Sequence, residues 1–333
     1  MPRKRRAMRL SISLTLLALA LFVVSLLVGP AELSSGDSVA GLFAGGGEAA
    51  AIIMREIRLP RAILGLAIGI SLGLSGAVLQ GFLRNPLAEP GVIGVSSMAA
   101  LGAVLVFYSG LAGSSLYALP AGALFGALLA VLILLAIAAR QGSTLTLILA
   151  GVALSSLAGA LTSLVLNLSP NPFASYEIIF WLLGSLKDRS MEFVAIALPL
   201  MAVGWFLISL SARAIDALSL GEEAASSLGI HMGRARFMIV AGVALSVGAA
   251  TAVSGTIGFI GLVVPHLIRP LTNRMPSSLL LPAGLGGAAL LLAADIAARI
   301  VLPAGELNVG VLTALIGAPF FLWLVVRARR EML

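Results

Sequence analysis

The chain has 333 residues, of which 60% are hydrophobic and only 11% charged, and its mean hydropathy is +1.11. So few charges cannot cover the surface of a water-soluble domain, which argues against a soluble enzyme or a nucleic-acid binder. The net charge of +7 fits an apolar chain whose lysines and arginines are held on the cytoplasmic side of a membrane.

A spanning helix needs about 20 mainly apolar residues. Met1–Arg9 is basic, and the run 10–29 that follows ends in Val28-Gly29-Pro30. That run is longer than the core of a cleaved signal peptide, so it reads as a retained first span. A Gly-rich polar stretch over 31–58 is expected outside. The second span, 60–83, opens with Arg58-Leu59-Pro60-Arg61. Gly65, Gly69 and Gly73 share one face of it, with Gly76 following, which makes a small-residue stripe for close helix contact. Next comes Arg84-Asn85-Pro86-Leu87-Ala88-Glu89-Pro90-Gly91, where the prolines force a non-helical connection and Asn85 can satisfy loose backbone groups.

Further spans are read at 92–110, 117–139 and 144–168. The amphipathic stretch Tyr176–Leu186 reads as a partial helix between spans, and 190–211 spans again. The inner loop 212–235 contains a short helix on which Leu220, Ala224 and Leu228 form an apolar stripe. Glu222 and Glu223 lie opposite the stripe, and Gly229 suits a left-handed cap. The stripe either packs on its own bundle or docks a cytoplasmic motor. The remaining candidates are 236–254, the short Gly-rich 255–271, 278–302 and 307–328. His266, after Pro265, reads as a structural hydrogen-bonding residue or a proton relay. Asp295 and Arg299, four apart, share a helix face and can pair.

With the N-terminus inside and ten alternating spans, 15 Lys and Arg fall inside and six outside or near the outer face. The six are Arg55, Arg58, Arg61, Lys187, Arg189 and Arg299. Both termini are therefore expected in the cytoplasm. The reading is an all-α polytopic membrane protein with about ten transmembrane helices. It forms a single transmembrane domain over 1–333, with a cytoplasmic tail 1–9 and a cytoplasmic segment at about 212–235. The sequence has no cysteine and two histidines, so it offers no thiolate or His-rich metal site. It has no G-x-x-x-x-G-K-[ST] phosphate loop, so ATP hydrolysis would need a separate protein.

Three stretches together resemble one family: RLPRAILGLAIGISLGLSGAVLQGFLRNPLAEPGVIGV, SGTIGFIGLVVPHLIRPL and LLLAADIAARIVLPAGELNVGVLTALIGAPFFLWLV. They are similar to membrane permease subunits of the ABC importers for iron-siderophore, haem and cobalamin, from about Arg55 to Val326. The resemblance implies a vitamin B12 permease-like bundle of ten helices in the inner membrane, working as a homodimer among membrane lipid. It implies two cytoplasmic ATPases that bind the ATP and Mg, while this chain binds no cofactor. It also implies a periplasmic or lipid-anchored substrate-binding protein and no nucleic acid.

Carried over by motif, Arg58, Arg61 and Arg299 match arginines that meet acidic residues of the binding protein. Leu220, Gly221, Glu222, Glu223, Ala224, Leu228, Gly229 and Ile230 match the segment that couples to the ATPase. Asn85, Pro86, Leu87, Pro90, Gly94, Pro265, His266 and Asp295 belong to the family's structural motifs. The span 144–168 and the segment 171–186 resemble the pathway and gate, with Ser155, Ser156, Thr162, Ser163 and Asn167 as candidate lining residues. Two places depart from the pattern: Glu306-Leu307-Asn308 replaces Glu-Leu-Pro, and Leu271-Thr272-Asn273-Arg274-Met275 replaces a polar Gly-x-Asp-His-Arg segment.

The expected cargo is an iron chelate, with ferric siderophore ahead of haem and cobalamin. The alternative is an ion-coupled secondary transporter, which needs intramembrane acids or ion-holding broken helices. Asp295 is the only clear acid within a span, and it lies close to Arg299. An intramembrane enzyme would need a nucleophile–base or metal set, and none is found.

Overall fold

The computed structural model describes residues 2–31, 33–43, 47–115, 117–139, 144–169, 172–273, 275–301 and 307–331. Among them the architecture is all-helical, as a lipid environment requires when each backbone N–H and C=O must be satisfied within the chain. Helix α1 (Pro2–Leu27) begins inside the basic tail. Two short helices follow, α2 (Ser35–Phe43) and α3 (Glu48–Ile52), within the Gly-rich polar stretch expected outside.

α3 continues through a π-helical turn, Ile53–Arg58, directly into α4 (Leu59–Phe82), and Glu48–Phe82 forms one rod of 35 residues. Pro60 explains the wider turn. It has no N–H, and its ring would strike the carbonyl of residue 56 in a regular α-helix. Here Leu59 N–H instead reaches back five residues to Met54 O.

After α4 the chain makes a loop and a 3₁₀ turn at Pro90–Ile93, then α5 (Val95–Tyr108), α6 (Ala118–Ala139) and α7 (Thr144–Leu168). The expected partial helix is α8 (Pro172–Leu182). Then come α9 (Met191–Leu210), α10 (Ala212–Leu218), α11 (Glu222–Ser227), α12 (Met232–Ser254), the short α13 (Ile260–Ile268), α14 (Pro276–Ile300) and α15 (Val309–Glu331). Among the described residues, seven helices are long and apolar enough to cross a membrane; α5, α13 with its 3₁₀ extension, and the Val309–Leu324 part of α15 are shorter apolar helices. Together these ten coincide with the ten spans read from the sequence.

The core forms around α4, α12 and α14. Gly69 and Gly73 sit where α4 and α14 touch backbone to backbone. A Cβ on Gly69 would lie 2.5 Å from Gly287 O, and one on Gly73 would collide with Ala283 O. Gly76 meets Gly261 of α13 in the same way, whereas Gly65 faces the Leu292 side chain. Lipid tails give no hydrophobic drive for helices to associate, so this close approach and buried hydroxyl contacts hold the bundle. Ser75 and Ser246 hydroxyls are 3.1 Å apart across α4 and α12, and Trp205 Nε1–H donates to Ser71 Oγ at 2.9 Å.

Candidate functional site

The bundle carries distinct features at its two ends, linked by a set of helix breaks between them. At the end where α1 terminates lie Arg58, Arg61 and Arg299, the residues matched by motif to binding-protein docking. They are only 4%, 7% and 8% exposed, and Asp295 is fully buried. Arg61 holds Asp295 with two nitrogens, Nε at 3.0 Å and Nη2 at 2.9 Å from Oδ1. Arg299 pairs with the same carboxylate through Nε and Nη2.

The remaining donors cap α1. Arg299 Nη1 donates to Ser25 O and Val28 O, both at 2.8 Å, and Arg58 donates to Leu26 O, Leu27 O and Ala31 O. A helix leaves its last four carbonyls without intrahelical partners, and arginine forks satisfy them while complementing the negative end of the dipole. The three arginines are thus drawn inward by unpaired carbonyls and one shared acid. The Asp295–Arg299 pair expected from spacing is present, but Arg61, 234 residues away in sequence from Asp295, completes it.

At the opposite end, Gly221 (φ +106°) starts α11 and Gly229 (φ +82°) ends it in the left-handed conformation that was expected. Gly229 N–H donates to Ser226 O and Ile230 N–H to Ala225 O, the paired bonds of a Schellman cap. Glu222 is anchored by Arg236 at 2.9 Å, and Ala225 is buried. Asp216, on the neighbouring α10, accepts from Ser277 N–H and Oγ–H at the start of α14. Leu220 and Leu228, however, are 69% and 64% exposed. This corrects the single-helix stripe: Leu220 lies ahead of the non-helical Gly221 and outside α11, Ala224 on α11 is half-buried, and the two leucines flanking the helix are left uncovered by the described residues. Glu223 is exposed, and Ile230 is half-buried.

The five residues proposed for the pathway divide between two faces of α7. Ser156, Ser163 and Asn167 share an exposed face, while Ser155 and Thr162 turn toward the chain; Ser155 Oγ donates to Gly91 O at 3.3 Å. A cavity of about 540 Å³ lies instead between the end of α8, the break after α12 and α15, lined by Leu182, Thr256, Phe259, Gly310, Ala314 and Pro319 among others.

The motif residues make turn, packing and ring contacts. Asn85 Oδ1 accepts Leu87 N–H at 2.9 Å, closing the turn at exposed Pro86. Buried Pro90 packs against Gly261, and Gly94 (φ +79°) opens α5 where a side chain would press on Gly151 O. Pro265 is buried within α13, and the His266 ring meets Phe320 edge-on at 5.7 Å. Asn308 opens α15 and donates to Phe180 O at 3.3 Å; Glu306 and Arg274 lie outside the described residues.

Sequence reasoning gave Glu89 no role. Its carboxylate accepts the N–H of Phe259 at 2.6 Å, joining the loop after α4 to the break between α12 and α13. Burial raises the pKa of this carboxyl group, and the Phe259 N–H partly opposes the shift. An acid between Ala88 and Pro90, in a stretch otherwise free of acids, was the available signal.

An apolar helical bundle with interrupted helices at its middle and uncovered leucines at one end has the build of a transport permease. The chain belongs to the FecCD transport family, whose model matches residues 16–327. It is 37% identical over 328 residues to the vitamin B12 import system permease protein BtuC of Klebsiella pneumoniae, covering 98% of this chain and 96% of the relative. It is 40% identical over 283 residues to the hemin transport system permease protein HmuU of Yersinia pestis, covering 84% of each. A cobalamin import system permease protein BtuC from Halobacterium salinarum is 43% identical over 284 residues, 84% of this chain and 74% of the relative. Among solved structures, an inward-facing conformation of a metal-chelate type ABC transporter superposes with a TM-score of 0.83 and 32% identity, covering 96% of this chain and 99% of that one. This chain is accordingly a multi-pass membrane protein and a permease subunit of the ABC importer type.

Proposed function

We propose that two copies of this chain form the conduit of an inner-membrane importer for a bulky metal chelate, with both termini in the cytoplasm. Cobalamin, haem and ferric siderophores share that chemistry, and relatives of this chain are named for cobalamin and hemin import. The metal is cargo and stays within its chelator. A substrate-binding protein delivers the chelate, and two separate ATPases bind ATP and Mg and drive the cycle.

The observation that carries this reading is the pair of uncovered leucines, Leu220 and Leu228, flanking α11, whose end is capped by Gly229. An exposed apolar patch fixed in place at the end of a bundle is suited to docking a soluble partner. The exposed face of Ser156, Ser163 and Asn167 on α7 supplies a weakly polar surface toward the second copy or the path. A low-affinity, sparsely charged path suits a large cargo, because a tight site would trap it. Ion-coupled transport is less well supported: Asp295 is held by Arg61 and Arg299 and cannot serve as an ion carrier while both pairs persist.

The test is reconstitution of the chain with its cognate ATPase and binding protein in liposomes. ATP-dependent uptake of the chelate that binding protein selects is the expected outcome. Uptake that follows a proton or sodium gradient without ATP would overturn the proposal.

A further inference from the structure

The segment 255–259, between α12 and α13, makes contacts in three directions. Toward α8, Ser185 N–H donates to Ser254 O at 2.7 Å, and Thr256 Oγ–H donates to Leu182 O. Gly184 (φ +73°) lies flat against Thr256 O, leaving no room for a side chain. Toward α15, the Phe259 side chain fills the space that a Cβ on Gly317 would need. Gly310 N–H also bonds Gly184 O at 3.1 Å, tying α15 to the end of α8. Toward the loop after α4, Phe259 N–H donates to Glu89 Oε1 at 2.6 Å.

Phe259 itself sits at φ +67°, a left-handed conformation that non-glycine residues seldom adopt and that surrounding contacts must hold. The same loop reaches the coupling segment. Arg84 Nη1 lies 3.9 Å from the position of a Cβ on Gly221. Arg84 and Pro86 also line, with Asp216 and Ser219, a cavity of about 330 Å³. The coupling segment and the loop thus lie side by side across a shared cavity, and contacts run from Glu89 through Phe259 to the α8 and α15 walls of the cavity of about 540 Å³.

We propose that Glu89 is a positioning residue that pins the loop beside the coupling segment to the α12–α13 break, so that movement imposed at the coupling segment reaches the cavity wall. This rests on the proposed function as an ATP-driven permease and adds a named link to it. Gln80 and Pro90 pack the same region: Gln80 Nε2 reaches Ala88 O and Gly261 O at 3.4 Å, and Pro90 abuts Gly261. They hold the two segments together, but neither fixes Phe259.

The experiment compares wild type, Glu89→Ala and Glu89→Gln in the complete complex with ATPase and binding protein, measuring chelate uptake and ATP hydrolysis in the same liposomes. Glu89→Ala should hydrolyse ATP within about twofold of wild type while uptake per ATP falls about tenfold, the scale of one part-buried hydrogen bond to a carboxylate lost. Glu89→Gln keeps an acceptor oxygen for Phe259 N–H and should stay within about threefold of wild type. If Glu89→Ala fails to assemble, Glu89→Asp, which withdraws the carboxylate by one methylene, should show the same uncoupling. Wild-type uptake per ATP in Glu89→Ala or Glu89→Asp would overturn the pin, as would a Gln variant as uncoupled as Ala. Absence of ATP-driven uptake in wild type would instead overturn the proposed function on which the pin rests.

Discussion

Replacing Asp295 by alanine tests the account of the buried arginines. Asp295 is fully buried and is the shared anion for two guanidiniums, each holding it through two nitrogens. Without it, Arg61 and Arg299 remain in a low-dielectric site with one carboxylate fewer between them. Removing one partner of a buried ion pair costs about 3–5 kcal/mol, because the other charge is left uncompensated. Arg299 keeps its bonds to Ser25 O and Val28 O, which places the loss toward the lower end of that range. For a chain of 333 residues the melting temperature should fall by about 4–5 °C. The assay is thermal unfolding of the purified protein in detergent, followed by loss of the monodisperse peak, with Glu223→Ala as an exposed control. A shift no larger than the control's would refute the claim that Asp295 anchors this end of the bundle.

Gly73→Ala drives a methyl into Ala283 O, so α4 and α14 must separate. A loss of about 1–3 kcal/mol in stability is expected, read by the same unfolding assay. Leu220→Asp with Leu228→Asp leaves the bundle intact, since both side chains are exposed, but should abolish co-purification with the ATPase. Gly229→Val meets no steric neighbour, so its cost is confined to the left-handed backbone, about 1–2 kcal/mol. It should weaken ATPase binding in a pull-down without lowering the yield of folded permease.

The spans were legible because each is a long apolar run with little charge, and their positions in the structure follow those runs closely. The helices before Pro60 were not, because Gly45–Gly47 and Pro60 both signal interruption. The π turn that lets the chain pass Pro60 as a continuous helix has no composition of its own. Spacing of four revealed Asp295 with Arg299, but Arg61 joins them across 234 residues, beyond any local pattern. The arginines looked exposed because they border the membrane in sequence. Their inward turn depends on where α1 ends, and only the assembled bundle shows that. The left-handed cap at Gly229 was readable from its place after an amphipathic turn. That the Leu220 and Leu228 face stays uncovered was not, since packing and docking stripes share one pattern. Glu89 was visible as a residue but not as a contact, because Phe259 lies 170 positions away.

The central claim is that this chain is a conduit driven by a separate ATPase, and reconstitution tests it most directly. Liposomes containing the permease, the cognate ATPase and the binding protein should concentrate chelate only when ATP is supplied on the ATPase side. The permease alone should not concentrate it. Accumulation against a gradient by the permease alone would contradict the account.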